Sequence, residues 1–195
     1  MKSLLNYAIV FFIFFTGTAF TQESYRLVSS ELSVAGTSTL HDWESEVRET
    51  NIQASLDIVD GQLQAIPNLL VKIPAKGIKS TKGRIMDNKT YDALKATDHP
   101  YITFQLTSTK IQANNKLTAT GKLTIAGKSK TVSFPVPMKK GSDGAFTFSG
   151  NYSLLMSDYG MEAPTALMGS IKTGDEITVK FNCTLQPGKA TANSK

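Results

Sequence analysis

The chain has 195 residues, a formal net charge of +5, and 41% hydrophobic and 19% charged residues, proportions ordinary for a soluble globular domain. Its lysines are scattered rather than packed into runs and no nucleic-acid-binding motif accompanies them, so the positive balance favours anionic lipid over DNA or RNA as a partner. The single cysteine, Cys183, excludes an intramolecular disulfide and, with Phe181 and Leu185 on its strand face, reads as a buried, inert thiol.

The first residues carry the marks of a secretory signal: Lys2, an apolar run from Leu4 to Phe15 interrupted by Asn6, and the small residues Gly17 and Ala19. That run is well short of the ~20 residues that span a bilayer. Cleavage after Ala19 is expected, giving a periplasmic or secreted protein with no permanent membrane span; loss of Lys2 takes the charge from +5 to +4. Tyr25–Val28 and Glu31–Leu40 then read as strands, the second with Leu32, Val34, Gly36, Ser38 and Leu40 on one face. A long strand or bent pair follows from Trp43 to Ile58, and the change of apolar parity between Val47 and Ile52 predicts a bulge. Asp60-Gly61 is a tight turn, after which Leu63, Ala65, Leu69, Val71 and Ile73 share a face that Pro67 interrupts.

Ala75 to Phe104 is the one segment that does not read as strand. Met86, Thr90, Ala93, Leu94 and Thr97 recur at helical spacing, with Ile85 and Tyr91 at the margins, so a short amphipathic helix is expected around residues 80–97. Ser80 or Thr81 is the expected N-cap and Pro100 the stop. Such a helix covers either a packed core or a cavity. Beyond it the alternation is clean: Ile102, Phe104 and Leu106; Leu117, Ala119, Gly121, Leu123 and Ile125; Val132, Phe134, Val136 and Met138; Phe146, Phe148, Gly150, Tyr152 and Leu154; and Ile177, Val179, Phe181, Cys183 and Leu185. Turns are expected at Gly127-Lys128, Ser142–Gly144 and Ser157–Gly160, in the last of which Asp158 is suited to bonding backbone amides, and a polar, disordered tail at 186–195.

Strands joined by short turns are antiparallel, and one apolar face on each suits a sandwich or a barrel; meander connectivity favours the barrel. Small inner-face residues, Gly36, Ser38, Ala54, Ala119, Gly121 and Gly150, either bend the strands or leave room inside. His41-Asp42-Trp43-Glu44 is the only local cluster of titratable and aromatic groups, but consecutive strand residues point to opposite faces, so His41 and Asp42 are no ready-made dyad. No nucleophile elbow and no metal-ligand spacing accompany it, and a non-enzymatic protein without metal or catalytic cofactor is expected. Lysines and Arg84 surround the start of the predicted helix, where an anionic head group would find free N–H groups.

Three pieces, ALKATDHPYITFQLTSTKI (Ala93–Ile111), LTATGKLTIAGKSKTVSFPV (Leu117–Val136) and SDYGM (Ser157–Met161), make the chain from about Ser24 to Leu185 resemble the YceI-like family of exported, lipocalin-like, polyisoprenoid-binding proteins. The resemblance implies an eight-stranded antiparallel up-and-down barrel with a helical segment at one side, holding a quinone or polyprenyl phosphate type of isoprenoid, and no catalysis. A carrier or buffer would line its lumen with Trp43, Phe104, Leu106, Leu123, Val132, Phe134, Phe146, Phe148, Tyr152, Val179 and Phe181. His41, Lys82, Arg84, Met86, Tyr91 and Leu94 would then serve the lid and head group. The alternative is a dry-cored barrel acting as an interaction or stress-protective protein. Homodimerisation is compatible with either.

Overall fold

The computed structural model describes residues 21–188, so the expected signal segment and residues 189–195 lie outside the description. Eleven strands are formed: β1 (Thr21–Ser38), β2 (Trp43–Val47), β3 (Asn51–Val59), β4 (Gln62–Pro74), β5 (Ile78–Ser80), β6 (Tyr101–Gln112), β7 (Lys116–Ile125), β8 (Lys128–Lys140), β9 (Phe146–Leu155), β10 (Thr165–Ala166) and β11 (Ile171–Pro187). One helix, α1 (Arg84–Ala93), lies between β5 and β6. The wall runs β1-β3-β4-β6-β7-β8-β9-β11, and β11 pairs back onto β1, closing an eight-stranded barrel in which every neighbouring pair is antiparallel. Closure satisfies edges that a sandwich would leave open.

The two strands expected before Leu40 are one long β1, paired with β11 from Tyr25 to Ser38; a bulge at Val28 separates Leu27↔Leu185 from Ser29↔Thr184, and a second register shift falls between Gly36 and Ser38. Its neighbour is interrupted at the same level. β2 and β3 share one register on β1, Gly36↔Trp43 and Arg26↔Gln53, with Arg48–Thr50 between them. Both strands therefore switch apolar parity together, from Tyr25 and Leu27 to Leu32 and Val34 in one and from Val47 to Ile52 in the other, and the inner faces stay aligned. Pro67 falls inside a register shift of β4, between Ser55↔Asn68 and Asp57↔Ala65. That bulge brings Ile66, not Ala65, to the inner face. At the C-terminal end β11 continues past the expected boundary, with Gln186 paired to Arg26.

Three inner-face glycines do not leave the wall empty, and two of them, Gly36 and Gly121, also stand beside register shifts of β1 and β6. A Cβ on Gly36 would stand 2.5 Å from the Trp43 ring, on Gly121 2.5 Å from Phe104, and on Gly150 2.9 Å from Phe181. Each glycine is the floor on which a neighbouring strand's ring lies flat.

The two ends of the barrel differ. At one, the hairpins are short: the two-residue turn Asp60-Gly61 holds positive φ at both central residues, matched to the strand twist, and the three-residue loop 113–115 holds positive φ at Asn114 and Asn115. At the other, three excursions (39–42, 75–100 and 156–170) rise above the wall, with only the 126–127 turn tight among them.

Candidate functional site

The barrel encloses a cavity of about 520 Å³, a volume typical of small-molecule sites. Trp43, Phe104, Leu106, Leu123, Phe134, Phe148, Tyr152, Val179 and Phe181 all stand on its wall. At mid-height Phe134 is the hub of an aromatic group, its ring centroid 5.6 Å from Phe104, 5.2 Å from Tyr152 and 6.1 Å from Phe181. Two residues expected on the wall are not there. Phe146 is buried in the plug of the closed end, edge-on to Tyr25 at 6.1 Å and stacked on Phe148 at 6.3 Å. Val132, opposite Gly121, is buried at a level where the Phe104 ring lies over that glycine.

The deep wall is almost wholly hydrocarbon, with Thr109, Tyr152 and Cys183 as its exceptions. Burial pushes the Cys183 thiol up to about 11, which keeps it protonated and unreactive at neutral pH. Polar side chains gather instead at the mouth: Ser38, His41, Ser45, Ser80, Lys82, Lys89, Thr90, Thr165 and Thr173. Ser45 and Ser80 face each other across the β2–β5 pair, and Ser45 is buried. His41 is exposed, and its Nδ1–H donates to the Asp42 carbonyl oxygen at 2.8 Å, a bond to backbone rather than to the neighbouring carboxylate. His99 packs on Gly127 at the β7–β8 turn.

Helix α1 is shorter than its sequence signature and is capped differently. Gly83, at φ 89°, is the N-cap, because Ser80 is taken into β5, where its N–H donates to Asp87 Oδ1 at 2.7 Å. The helix ends before Pro100 has any say. Lys95 adopts φ 51°, its N–H reaches Asp92 O at 3.0 Å and the Ala96 N–H reaches Tyr91 O at 2.9 Å, the paired bonds of a Schellman motif. Thr97 therefore lies beyond the helix and is exposed.

One flank of α1 is clamped to β5 and the 3-10 turn at Ala75–Gly77. Asp87, 8% exposed, lies 3.5 Å from Lys79 Nζ; Lys79 also donates to Tyr91 Oη, and Tyr91 donates to Lys76 O at 3.0 Å. The bond to Tyr91 is the main reason the Lys79 ammonium is held above its ordinary range. Tyr91 is thus an anchor on the outer flank and Arg84 is solvent-exposed; neither reaches the lumen. Met86, Lys89, Thr90, Ala93 and Leu94 do, with Lys82 just ahead of them. Thr90 donates its hydroxyl to Met86 O at 3.1 Å, so it needs no polar partner from the cavity. On the far side Lys89 Nζ meets Thr165 O at 2.5 Å.

Thr165 belongs to the one part of the site that strand periodicity missed, the excursion from Met156 to Ser170, which adds Pro164, Thr165 and Ala166 to the mouth. Its length is the clue, since a connection of this size between antiparallel strands is uncommon without a role. Its base is a 3-10 turn, Ser157–Tyr159, closed by Gly160 at φ 65°. Asp158 does not bond the amides there but pairs with Lys130 at 2.5 Å. Asp175 takes the task, accepting from the Ser157 hydroxyl at 2.5 Å and amide at 2.8 Å, which holds its carboxyl below the usual range. Tyr159 is 1% exposed with a hydroxyl that has no partner among the described residues, and burial pushes its phenol up to about 12.

The family model for the YceI-like domain matches residues 25–185. The chain belongs to the YceI-like family. Among solved structures, the YceI-like barrel resembles Burkholderia cenocepacia BcnA at TM-score 0.67 and 20% identity, over 80% of this chain and 95% of that one. It resembles a polyisoprenoid binding domain from Saccharophagus degradans, implicated in plant cell wall breakdown, at TM-score 0.65 and 11% identity, over 85% and 99%. A Campylobacter jejuni YceI protein matches at TM-score 0.58 and 24% identity, over 72% and 82%. These likenesses show the shared YceI-like fold. No curated protein sequence matches the chain.

Proposed function

We propose that this YceI-like protein is an exported, non-enzymatic carrier or buffer that holds one isoprenoid lipid, of quinone or polyprenyl phosphate type, with its tail in the lumen and its head group at the mouth. The observation that carries this reading is the distribution of polarity along the cavity, hydrocarbon in depth with serines, threonines, lysines and His41 at one end. That gradient matches a molecule with a long apolar tail and a single polar or anionic end. The polyisoprenoid-binding relative points to the same ligand class.

A dry core fits less well. A lumen of about 520 Å³ lined by hydrocarbon is space that a packed core would have filled. A prenyl tail buried there gains ~0.8 kcal/mol per methylene.

Organic extraction of the purified protein followed by mass spectrometry is expected to return one isoprenoid per chain. Trp43, the sole tryptophan, stands on the wall, so its emission should also report a titration with geranylgeraniol. Phe134→Asp, which sets a carboxylate among Phe104, Tyr152 and Phe181, should weaken that binding at least about tenfold while far-UV circular dichroism stays native. A lumen that yields no lipid and refuses geranylgeraniol sinks the reading, as does a folded Phe134→Asp protein that binds like the parent.

A further inference from the structure

Four large apolar side chains stand in solvent at the mouth: Leu40 at 66% exposure, Ile85 at 76%, Leu167 at 73% and Met168 at 109%. The other exposed large hydrophobics among the described residues, Val28, Tyr101 and Leu155, lie on strands and reach only 43–45%. The four come from three different excursions, and all three rise from the same end of the barrel.

Hydrogen bonds tie these tips into one rim. The Ser38 hydroxyl accepts the N–H of Leu40 at 3.3 Å and of His41 at 3.2 Å, fixing the first excursion. Thr39 donates its N–H to Lys172 O at 3.0 Å at the start of β11 and its hydroxyl to Ser170 O at 3.4 Å, and the latter joins that excursion to the one carrying Leu167 and Met168. The Lys89–Thr165 contact joins the latter in turn to α1, which carries Ile85. Leu167 and Met168 hold φ of 48° and 54°, a left-handed backbone that branched and bulky residues avoid. The conformation costs strain and turns two greasy side chains outward, where burial offers nothing in return.

Charge says what covers the rim. Nearest the tips in sequence, Lys82 and Arg84 beside Ile85 and Lys172 at the start of β11 are exposed, with Lys89 half-buried beside them, against Asp42 next to Leu40. The other exposed acids of the excursions, Asp92, Asp98, Asp158 and Glu162, stand farther from the tips along the chain, and Asp158 is paired with Lys130. Separated apolar tips among cations are the pattern of a surface that dips into the interface of an anionic bilayer. The lumen opens in the middle of that ring.

The geometry points to a membrane-docking rim: Leu40, Ile85, Leu167 and Met168 insert among the lipids of an anionic membrane, with Lys82, Arg84 and Lys172 on the head groups, and seat the mouth on the bilayer. This deepens the carrier reading and rests on it for its purpose, since a lipid would then pass between bilayer and lumen without crossing water.

Sedimentation with vesicles tests it. The full chain should pellet with vesicles of phosphatidylcholine and phosphatidylglycerol, and far less with phosphatidylcholine alone. Leu167→Ser/Met168→Ser changes two exposed residues off the cavity wall, so it should fold, keep geranylgeraniol binding in detergent micelles, and lose about tenfold or more in vesicle partitioning. Lys82→Glu/Arg84→Glu should lose the preference for anionic vesicles. A wild-type chain that ignores both vesicles, or a double-serine variant that pellets like the parent, overturns the proposal. So does a dimer in sedimentation velocity that the double-serine change dissolves, which would assign the rim to a second copy of the chain. Vesicle binding by a protein that refuses geranylgeraniol would uphold the rim and strike the carrier reading alone.

Discussion

The closed end and the mouth of this barrel are built from the same kind of strand, yet they terminate in opposite ways. At the closed end Tyr25, Phe146 and Phe148 pack beneath a floor that includes Leu56 and Leu117, 0% and 2% exposed, and short hairpins at 60–61, 113–115 and 141–145 return the chain. At the mouth the chain leaves the wall for many residues, the inner surface turns polar, and a ten-residue helix is pinned along one flank. Hydrophobic burial holds the first region. At the second, a buried cluster that includes Ala75, Leu94, Ala96, Met156, Tyr159 and Met161 lies under the excursions, and hydrogen bonds and two ion pairs, Asp87–Lys79 and Asp158–Lys130, position them. A stable plug leaves the opposite end free to carry exposed apolar groups, strained backbone and movable contacts, all of which cost stability.

The contrast breaks most visibly through the core. Leu56→Ala at the closed end should cost ~2–5 kcal/mol by thermal or urea denaturation, because the side chain is wholly enclosed and its space does not refill. Met86→Ala on the half-buried lid should cost under ~1 kcal/mol and instead weaken geranylgeraniol binding. Equal destabilisation by the two would erase the distinction.

Removing the pin comes next in size. Asp87→Ala strands the Ser80 N–H and frees Lys79, so a loss of ~1–3 kcal/mol is expected, with hydrogen exchange accelerating in α1 and β5 before the rest of the barrel. Asp87→Asn keeps an acceptor and should recover part of it. If α1 exchanges no faster than β7 in the alanine variant, the clamp lies elsewhere.

The smallest effect concerns Tyr159. Its hydroxyl is buried without a partner among the described residues, so Tyr159→Phe should be neutral or stabilise by up to ~1 kcal/mol. The sign with pH follows from the raised phenol: burial keeps it neutral in the fold up to about 12, while the unfolded chain ionises near 10.0. The contribution of Tyr159 is fully present below pH 10.0 and is lost as pH climbs toward about 12. Denaturation across that window should show a decline in the parent that is shallower in the phenylalanine variant.

Most of the wall was legible from the chain. Period two is a local rule, so residues such as Leu117, Phe134 and Val179 declare their face without reference to any partner. The parity change between Val47 and Ile52 likewise located the interruption of β2 and β3. The matching irregularity at Val28 showed only as a break between two expected strands, because a bulge exists only relative to β11 and to the neighbour it must follow. Glycines were visible as small inner residues, but their role needed the rings of Trp43, Phe104 and Phe181, which arrive from elsewhere in the sheet.

The lid separates the two kinds of information most clearly. Amphipathic spacing in the sequence is enough to call for a helix and to turn Met86, Thr90 and Ala93 inward, since that pattern arises within three turns of chain. Where the helix begins and which flank is fastened were decided by Asp87, Lys79 and Tyr91 meeting β5 and the 3-10 turn, and where it opens by Lys89 meeting Thr165 from 76 residues away. Alternation along a strand is set by neighbours in sequence. The shape of a mouth is set by neighbours in space, and only closure of the barrel brings them together.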